Sequence, residues 1–245
     1  MTVCVFESSE ALAHASATFI ARQAKAAITE RGGFSIALSG GKTPVATYSK
    51  LAQAPFSTQI PWAQVHVFWS DERCVPPGDP QSNYGTAYEL LLRPLALPSE
   101  NIHRLRGELP PAEAADQANG ELATHFGGDV GPIFDLILLG LGEDGHTASL
   151  FSGSEALKKS DGLVAANYVA KLDAWRLTFT YPPINAAKQI LFLVSGEKKA
   201  EVVKKTVEDH DPALPASFVQ PVSGSVTWYL DQPAAGRLRR QTFSN

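Results

Sequence analysis

Thiols are scarce in this chain. Of 245 residues only Cys4 and Cys74 are cysteines. That is too few for a disulfide scaffold or a thiolate metal site, and it fits a reducing compartment. Long apolar runs are missing too. No window approaches the roughly 18 consecutive apolar residues of a membrane span, so no membrane partner is expected. The opening "MTVCVFESSE" has neither the basic start nor the apolar stretch of a secretory signal. Charge of one sign is also absent. Lys and Arg number 21 against 25 Asp and Glu, a formal net charge of -4. No long-range field therefore favours nucleic acid or an anionic surface, and any anionic ligand must be held by a local basic cluster. Internal repeats and low-complexity segments are lacking. The expectation is a soluble, cytoplasmic protein.

Hydrophobic residues make up 44% and charged residues 19%, an ordinary globular balance over a length that can bury a sizeable core. Strand and helix patterns alternate. "VCVFES", "FSIALSGG", "VHVFWSDE", "NIHRLRG", "FDLILLGLG", "GLVAANY", "WRLTFTY", "ILFLVSG" and "SVTWYLD" read as strands. The alanine-rich run 9–33, the short segments 43–53 and 182–189, the segment 82–95 ended by Pro94, and the stretches 111–128 and 197–208 read as helices. This alternation predicts an α/β fold: one doubly wound, mainly parallel sheet with helices on both faces, in a single domain spanning 1–245. The proline-rich segments 75–81 and 210–216 are expected to be surface loops.

In open parallel sheets ligands gather beyond the carboxyl ends of the strands, and the chemically loaded residues fall there. "LSGGKTP" (38–44) follows a strand and precedes a helix. Gly40 and Gly41 let the backbone approach an anion, the helix start offers free N–H groups, and Ser39 and Thr43 add hydroxyls. A plain tight turn is the alternative, with Lys42 as a surface charge. The spacing is not that of a P-loop. "WSDERCVP" (69–76) places Asp71, Glu72 and Arg73 at a strand end. Arg73 can fork onto a carboxylate or phosphate, though a solvated loop with a local ion pair explains the segment alone equally well. Cys74 has no base nearby and reads as a packed thiol.

"LILLGLGEDGHTASLF" (136–151) carries the most chemistry. Gly140, Gly142 and Gly145 fit the dinucleotide spacing G-x-G-x-x-G, but Asp144 and His146 stand where a pyrophosphate would approach, and a carboxylate there repels it. The pair suits acid–base chemistry instead. Asp144 fixes the tautomer of His146, and the imidazole takes a proton from water. The "HTASLF" run is expected to open a helix whose N–H groups face the site, or His146 merely caps that helix. Arg176 and Lys198, near two further strands, can neutralise a phosphate held by the 39–43 turn. Each taken alone is an ordinary surface charge.

Taken together, "LSGGKTP", "FWSDERCVP", "SNYG", "LGLGEDGHTASLF", "RLTFTYPPINAAKQILFLVSG" and Lys198 resemble the 6-phosphogluconolactonases, in the wider family that includes glucosamine-6-phosphate deaminases. The resemblance runs from about residue 34 to 230. It implies a NagB/Rossmann-like α/β domain, a small sugar phosphate as substrate, and hydrolysis of 6-phospho-D-glucono-1,5-lactone in the oxidative pentose phosphate pathway. It implies no metal and no organic cofactor, and a monomer or weak homo-oligomer is expected. In that setting His146 is the general base, Asp144 orients it, and Arg73 or the N–H groups of 145–147 stabilise the oxyanion. The 6-phosphate rests on Ser39, Gly40, Gly41, Lys42 and Thr43, with Arg176 and Lys198 completing the pocket. Arg73 holding phosphate instead remains open.

Two rivals stand beside this. Deaminases of the family typically read G-H-I-A-F-N-E-P, with a glutamate where this chain has Phe151, and D-E-Y where it has Asp71-Glu72-Arg73. A non-catalytic sugar-phosphate-binding regulator is expected to lack the histidine and to carry a DNA-binding segment. Two small departures from the lactonase pattern are Ser152 in place of the usual proline and Lys42 where serine is frequent.

Overall fold

A computed structural model describes residues 1–127 and 133–239. The last glycine of the helix predicted over 111–128, and the end of the predicted domain at 240–245, lie outside the described residues. Nine strands appear in chain order: β1 (Thr2–Phe6), β2 (Phe34–Leu38), β3 (Val65–Trp69), β4 (Asp71–Arg73), β5 (Leu136–Leu139), β6 (Val164–Val169), β7 (Ala174–Phe179), β8 (Gln189–Val194) and β9 (Ser225–Asp231). The α-helices are α1 (Ser9–Arg31), α2 (Lys42–Leu51), α3 (Phe56–Gln59), α4 (Asn83–Ala87), α5 (Pro111–Phe126), α6 (Tyr181–Ala186), α7 (Ala200–Val207) and α8 (Gln232–Ala235). Among the described residues no helix is long and apolar enough to cross a membrane.

Six strands form one sheet in the order β1-β9-β8-β5-β2-β3, and every pairing in it is parallel. All residues of β2 and β5 are buried. Successive side chains of a strand point to opposite faces, so both faces are covered there. The long helix α1 starts where the Ser8 side chain accepts from the Ala11 N–H at 3.1 Å and stops at Gly32 in the left-handed conformation, φ 78°, a favoured helix ending. Its buried alanines at 13, 17, 21, 24 and 27 give a low-relief face that packs on α2 and touches β1, β2 and β9.

The order of connections positions the site. From β2 the chain moves outward to β3 at one edge. From β5, the neighbour of β2 on its other side, it moves through β8 and β9 towards the opposite edge. The segments leaving β2 and β5 thus diverge, and a crevice opens between them beyond the carboxyl ends, as the rule for open α/β sheets requires.

Three expectations are corrected. The run 65–72 is two strands, not one. It breaks at Ser70, whose N–H and hydroxyl both donate to the Leu38 carbonyl at 2.8 and 3.1 Å, while its own carbonyl accepts from the Phe179 N–H at 2.7 Å. The chain is thereby handed from the parallel sheet to a second, antiparallel one, ordered β4-β7-β6. The segment 101–107 is not a strand: Ile102 makes one bridge to Val67. The chain then bends so that Gly107 presses on the backbone of residues 73–75, where an added Cβ would lie 2.2 Å from the Arg73 carbonyl oxygen. Residues 146–151 form no helix. Ala148 is left-handed at φ 46° and Thr147 bridges Leu150, which ends any helical run. The last strand, β9, lies between β8 and β1, so the first strand of the chain forms an edge.

Candidate active site

The crevice is a cavity of about 650 Å³. Ser39, Gly40, Gly41, Lys42 and Thr43 line it after β2, Arg73 and Arg176 from β4 and β7, His146 after β5, and Lys198 after β8. Asp144 stands behind His146. The structure thus brings the residues expected to hold phosphate, together with Arg73 and His146, to one rim.

The turn after β2 is held from beneath. The buried Tyr48 hydroxyl donates to the Ser39 carbonyl at 2.6 Å and accepts from the Ser39 N–H at 3.0 Å. Gly41, φ 99°, precedes α2 with no side chain capping it, so the first N–H groups of α2 keep their electropositive ends open. Gly40 has to be glycine, since an added Cβ would lie 2.0 Å from Asn83 Oδ1.

After β5 the loop folds back on itself. His146 Nδ1 is 2.5 Å from Asp144 Oδ1. With Nδ1–H donating to the carboxylate, Nε2 keeps the lone pair. Only a glycine at 142 admits this ring, because a Cβ there would meet His146 Nδ1 at 2.0 Å. The ring stacks on Phe151, centroids 4.1 Å apart. Burial pushes the His146 pKa down to about 4; Asp71 opposes the shift, while Lys199 and Arg73 add to it. The imidazole is therefore neutral at neutral pH, the state that can accept a proton. Two of the backbone donors expected at 145–147 are occupied: the Gly145 N–H donates to the Gly142 carbonyl at 3.0 Å, and the His146 N–H to Asp144 Oδ1 at 3.3 Å.

Of the cations lining the cavity, Lys171 is paired with Asp144. The other five, Lys42, Arg73, Arg176, Lys198 and Lys199, form no ion pair among the described residues. Arg73 and Arg176 face each other in register across β4 and β7. Burial lowers the Arg176 pKa and the Arg73 charge lowers it further, against the pull of Asp71, Cys74 and Glu72. Burial likewise lowers the Lys199 pKa, against the pull of Glu143.

Several contributors were not legible as functional in the sequence. Glu72 is buried, not part of a solvated ion pair. Its carboxylate accepts from the N–H groups of Arg73, Asn83 and Tyr84 at 2.7–2.8 Å and from the Ser82 hydroxyl at 3.1 Å. It ties β4 to the start of α4 and so sets the direction of Arg73. Asp71 accepts from the Ser149 hydroxyl at 2.7 Å, joining β4 to the loop that carries His146. Asp231 accepts from the Ser195 hydroxyl at 2.5 Å and from the Gly196 N–H at 3.0 Å, fixing the turn that presents Lys198 and Lys199. Lys171, between β6 and β7, ion-pairs with the outer oxygen of Asp144 and lies 4.7 Å from the centroid of Phe151. Cys74 has its thiol pushed up to about 11, chiefly by burial, and remains a packed thiol.

Fold and site together define an α/β domain with a cationic ligand cavity at a topological switch point, armed with a neutral imidazole. The family described as glucosamine-6-phosphate isomerases/6-phosphogluconolactonase matches residues 7–228, and the chain belongs to it. It is 44% identical over 219 residues to the 6-phosphogluconolactonase of Synechocystis sp., covering 87% of this chain and 88% of the relative. With the Nostoc sp. 6-phosphogluconolactonase it shares 39% over 244 residues, 97% and 98% of the two chains. The solved 6-phosphogluconolactonase of Trypanosoma brucei superposes with a TM-score of 0.87 at 30% identity, over 97% of this chain and 98% of that one.

Proposed function

We propose that this protein hydrolyses 6-phospho-D-glucono-1,5-lactone to 6-phosphogluconate, a step of the oxidative pentose phosphate pathway. The observation that carries the reading is the sharing of one cavity by a neutral, carboxylate-held imidazole and an uncapped helix start ringed by unpaired cations. The names of the relatives point to the same substrate.

In this reading the 6-phosphate rests on the open N–H groups at the start of α2 and on the hydroxyls of Ser39 and Thr43, with Lys198 and Arg176 drawing in its second charge. That anchoring is remote from the reacting bond and sets the lactone carbonyl beside His146. His146 Nε2 takes a proton from water as the water oxygen bonds to C1. The carbonyl π electrons move onto oxygen, and Arg73 stabilises the resulting oxyanion, since two of the loop's backbone donors are already occupied. Collapse breaks the bond from C1 to the ring oxygen, and the imidazolium returns the proton to that oxygen.

A coupled assay tests this. The lactone is generated from glucose 6-phosphate by its dehydrogenase, and 6-phosphogluconate is followed by a second dehydrogenase. The purified chain is expected to outrun spontaneous hydrolysis, and His146→Ala to lower kcat by about 10²–10⁴-fold. Wild-type protein no faster than the uncatalysed rate would refute the substrate, and a His146→Ala variant of normal turnover would refute the base. The deaminase reading finds the hydrophobic ring of Phe151 stacked on His146 where it requires a carboxylate, and no ammonia is expected from glucosamine 6-phosphate.

A further inference from the structure

Three histidines from distant parts of the chain converge away from the cavity. His66 is the second residue of β3, His103 follows the short turn at Ser99–Asn101, and His125 stands in the last turn of α5. Each offers a ring nitrogen, and the three nitrogens all lie within 4.8 Å of one another. His66 Nδ1 is 3.1 Å from His103 Nε2. The His125 ring centroid is 4.5 Å from that of His66 and 4.8 Å from that of His103. All three side chains are half-buried.

Aromatic packing accounts for part of this arrangement. The His103 ring lies flat on Phe68, centroids 4.3 Å apart and planes 9° from parallel, with Phe126 and Phe134 alongside. Stacking alone, however, is served equally well by carbon rings. It does not account for three ring nitrogens gathered within 4.8 Å of one another, two of them 3.1 Å apart and sharing a proton.

We propose that His66, His103 and His125 form a binding site for a divalent transition-metal ion of the zinc type, which clamps β3 and the 101–106 segment to the end of α5. Tetrahedral zinc with bonds of about 2.0–2.1 Å to nitrogen sets its ligand nitrogens about 3.4 Å apart. That value falls between the 3.1 Å of the existing pair and the 4.8 Å limit of the trio, so small ring rotations bring the donors into place. Three imidazoles leave the fourth position to water. An all-imidazole set suits Zn²⁺, Cu²⁺ or Ni²⁺ and disfavours Mg²⁺ and Ca²⁺, which prefer oxygen.

The site is separate from the chemistry. His66 pairs in register with Ser35, three residues before Leu38, a distance of roughly 10 Å along the strand, and none of the three histidines lines the cavity. The clamp therefore acts on stability and not on turnover.

Isothermal titration of metal-stripped, full-length protein with ZnCl₂ is expected to show one equivalent bound and a raised Tm, with Co²⁺ giving the visible absorption of a tetrahedral site. His103→Gln and His125→Gln, each checked for native circular dichroism, are expected to weaken zinc binding by more than the roughly 10–100-fold typical of losing an outer-shell partner. His146→Ala is expected to leave it unchanged. A zinc-soaked crystal locates the ion without any variant, and its anomalous peak is expected among the three rings. Absence of uptake at millimolar zinc, a peak elsewhere, or zinc binding lost in His146→Ala but retained in both glutamine variants would overturn the proposal.

Discussion

His146, proposed here as the general base, has its proton affinity set by its neighbours. Its pKa of about 4 means that the reactive neutral form persists well into acid, so the acid limb of kcat/KM is expected near pH 4 and not near the ordinary histidine value of about 6.5. Asp71 works against that low value, and a carboxylate hydrogen-bonded to Nδ1, as Asp144 is, favours the charged ring on the same ground. Lys171, paired with the other oxygen of Asp144, blunts its pull. Lys171→Met is therefore expected to shift the acid limb upward, measured as kcat/KM against pH, and an unmoved limb would show that Lys171 has no electrical effect on the imidazole. The sequence exposed His146 and Asp144 because both lie in one glycine-rich bend after an apolar strand. Lys171 was hidden. It sits in a short turn between β6 and β7, far along the chain from every motif, and only folding brings its ammonium to Asp144.

At the scale of elements, the long periodic pieces were readable and the joints were not. The alanine-rich α1 with its serine and glycine ends, α5, and the buried runs of β2, β5 and β8 announce themselves through pattern and caps. The switch at Ser70 has no such signal, since its cause is a set of hydrogen bonds to Leu38 and Phe179 that no local spacing encodes. The same is true of β4, three residues long, whose direction depends on Glu72. Replacing Glu72 by alanine strands three N–H groups that the carboxylate now satisfies. At roughly 1–3 kcal/mol for each unsatisfied donor, a loss of about 3 kcal/mol or more is expected in denaturant melts, together with a raised KM as Arg73 loses its fixed direction. A variant as stable as wild type would show that the 71–84 segment is held by packing alone.

For the whole molecule, the divergence of the chain on leaving β2 and β5 puts the cavity at the middle of the sheet, and a charge cluster at the opposite strand ends holds the same two strands together. Asp135, just before β5, accepts from the Ser35 N–H at 2.9 Å and pairs with Lys188 at 2.8 Å and Arg31 at 2.7 Å. Burial alone would raise its pKa, but Lys188, Ser35 and Arg31 outweigh burial and hold it below the ordinary aspartate value. A carboxylate depressed in this way contributes stability that is fully present above its unfolded pKa and lost as pH falls through the folded value. Acidification below about pH 4 is thus expected to lower the Tm of the wild type, and Asp135→Asn to be less stable at pH 7 by about 1–3 kcal/mol with a flatter acid slope. Identical slopes for the two proteins would remove Asp135 from the acid response. Arg73 and Arg176, partners across β4 and β7 whose charges oppose each other, carry a practical consequence. Sulfate or phosphate left over from purification relieves their mutual repulsion, and by mass action it raises resistance to heat as occupancy grows. On the proposed function the same ion occupies the seat of the sugar phosphate, so the preparation that ranks best in a thermal-shift screen is expected to rank worst at the spectrophotometer.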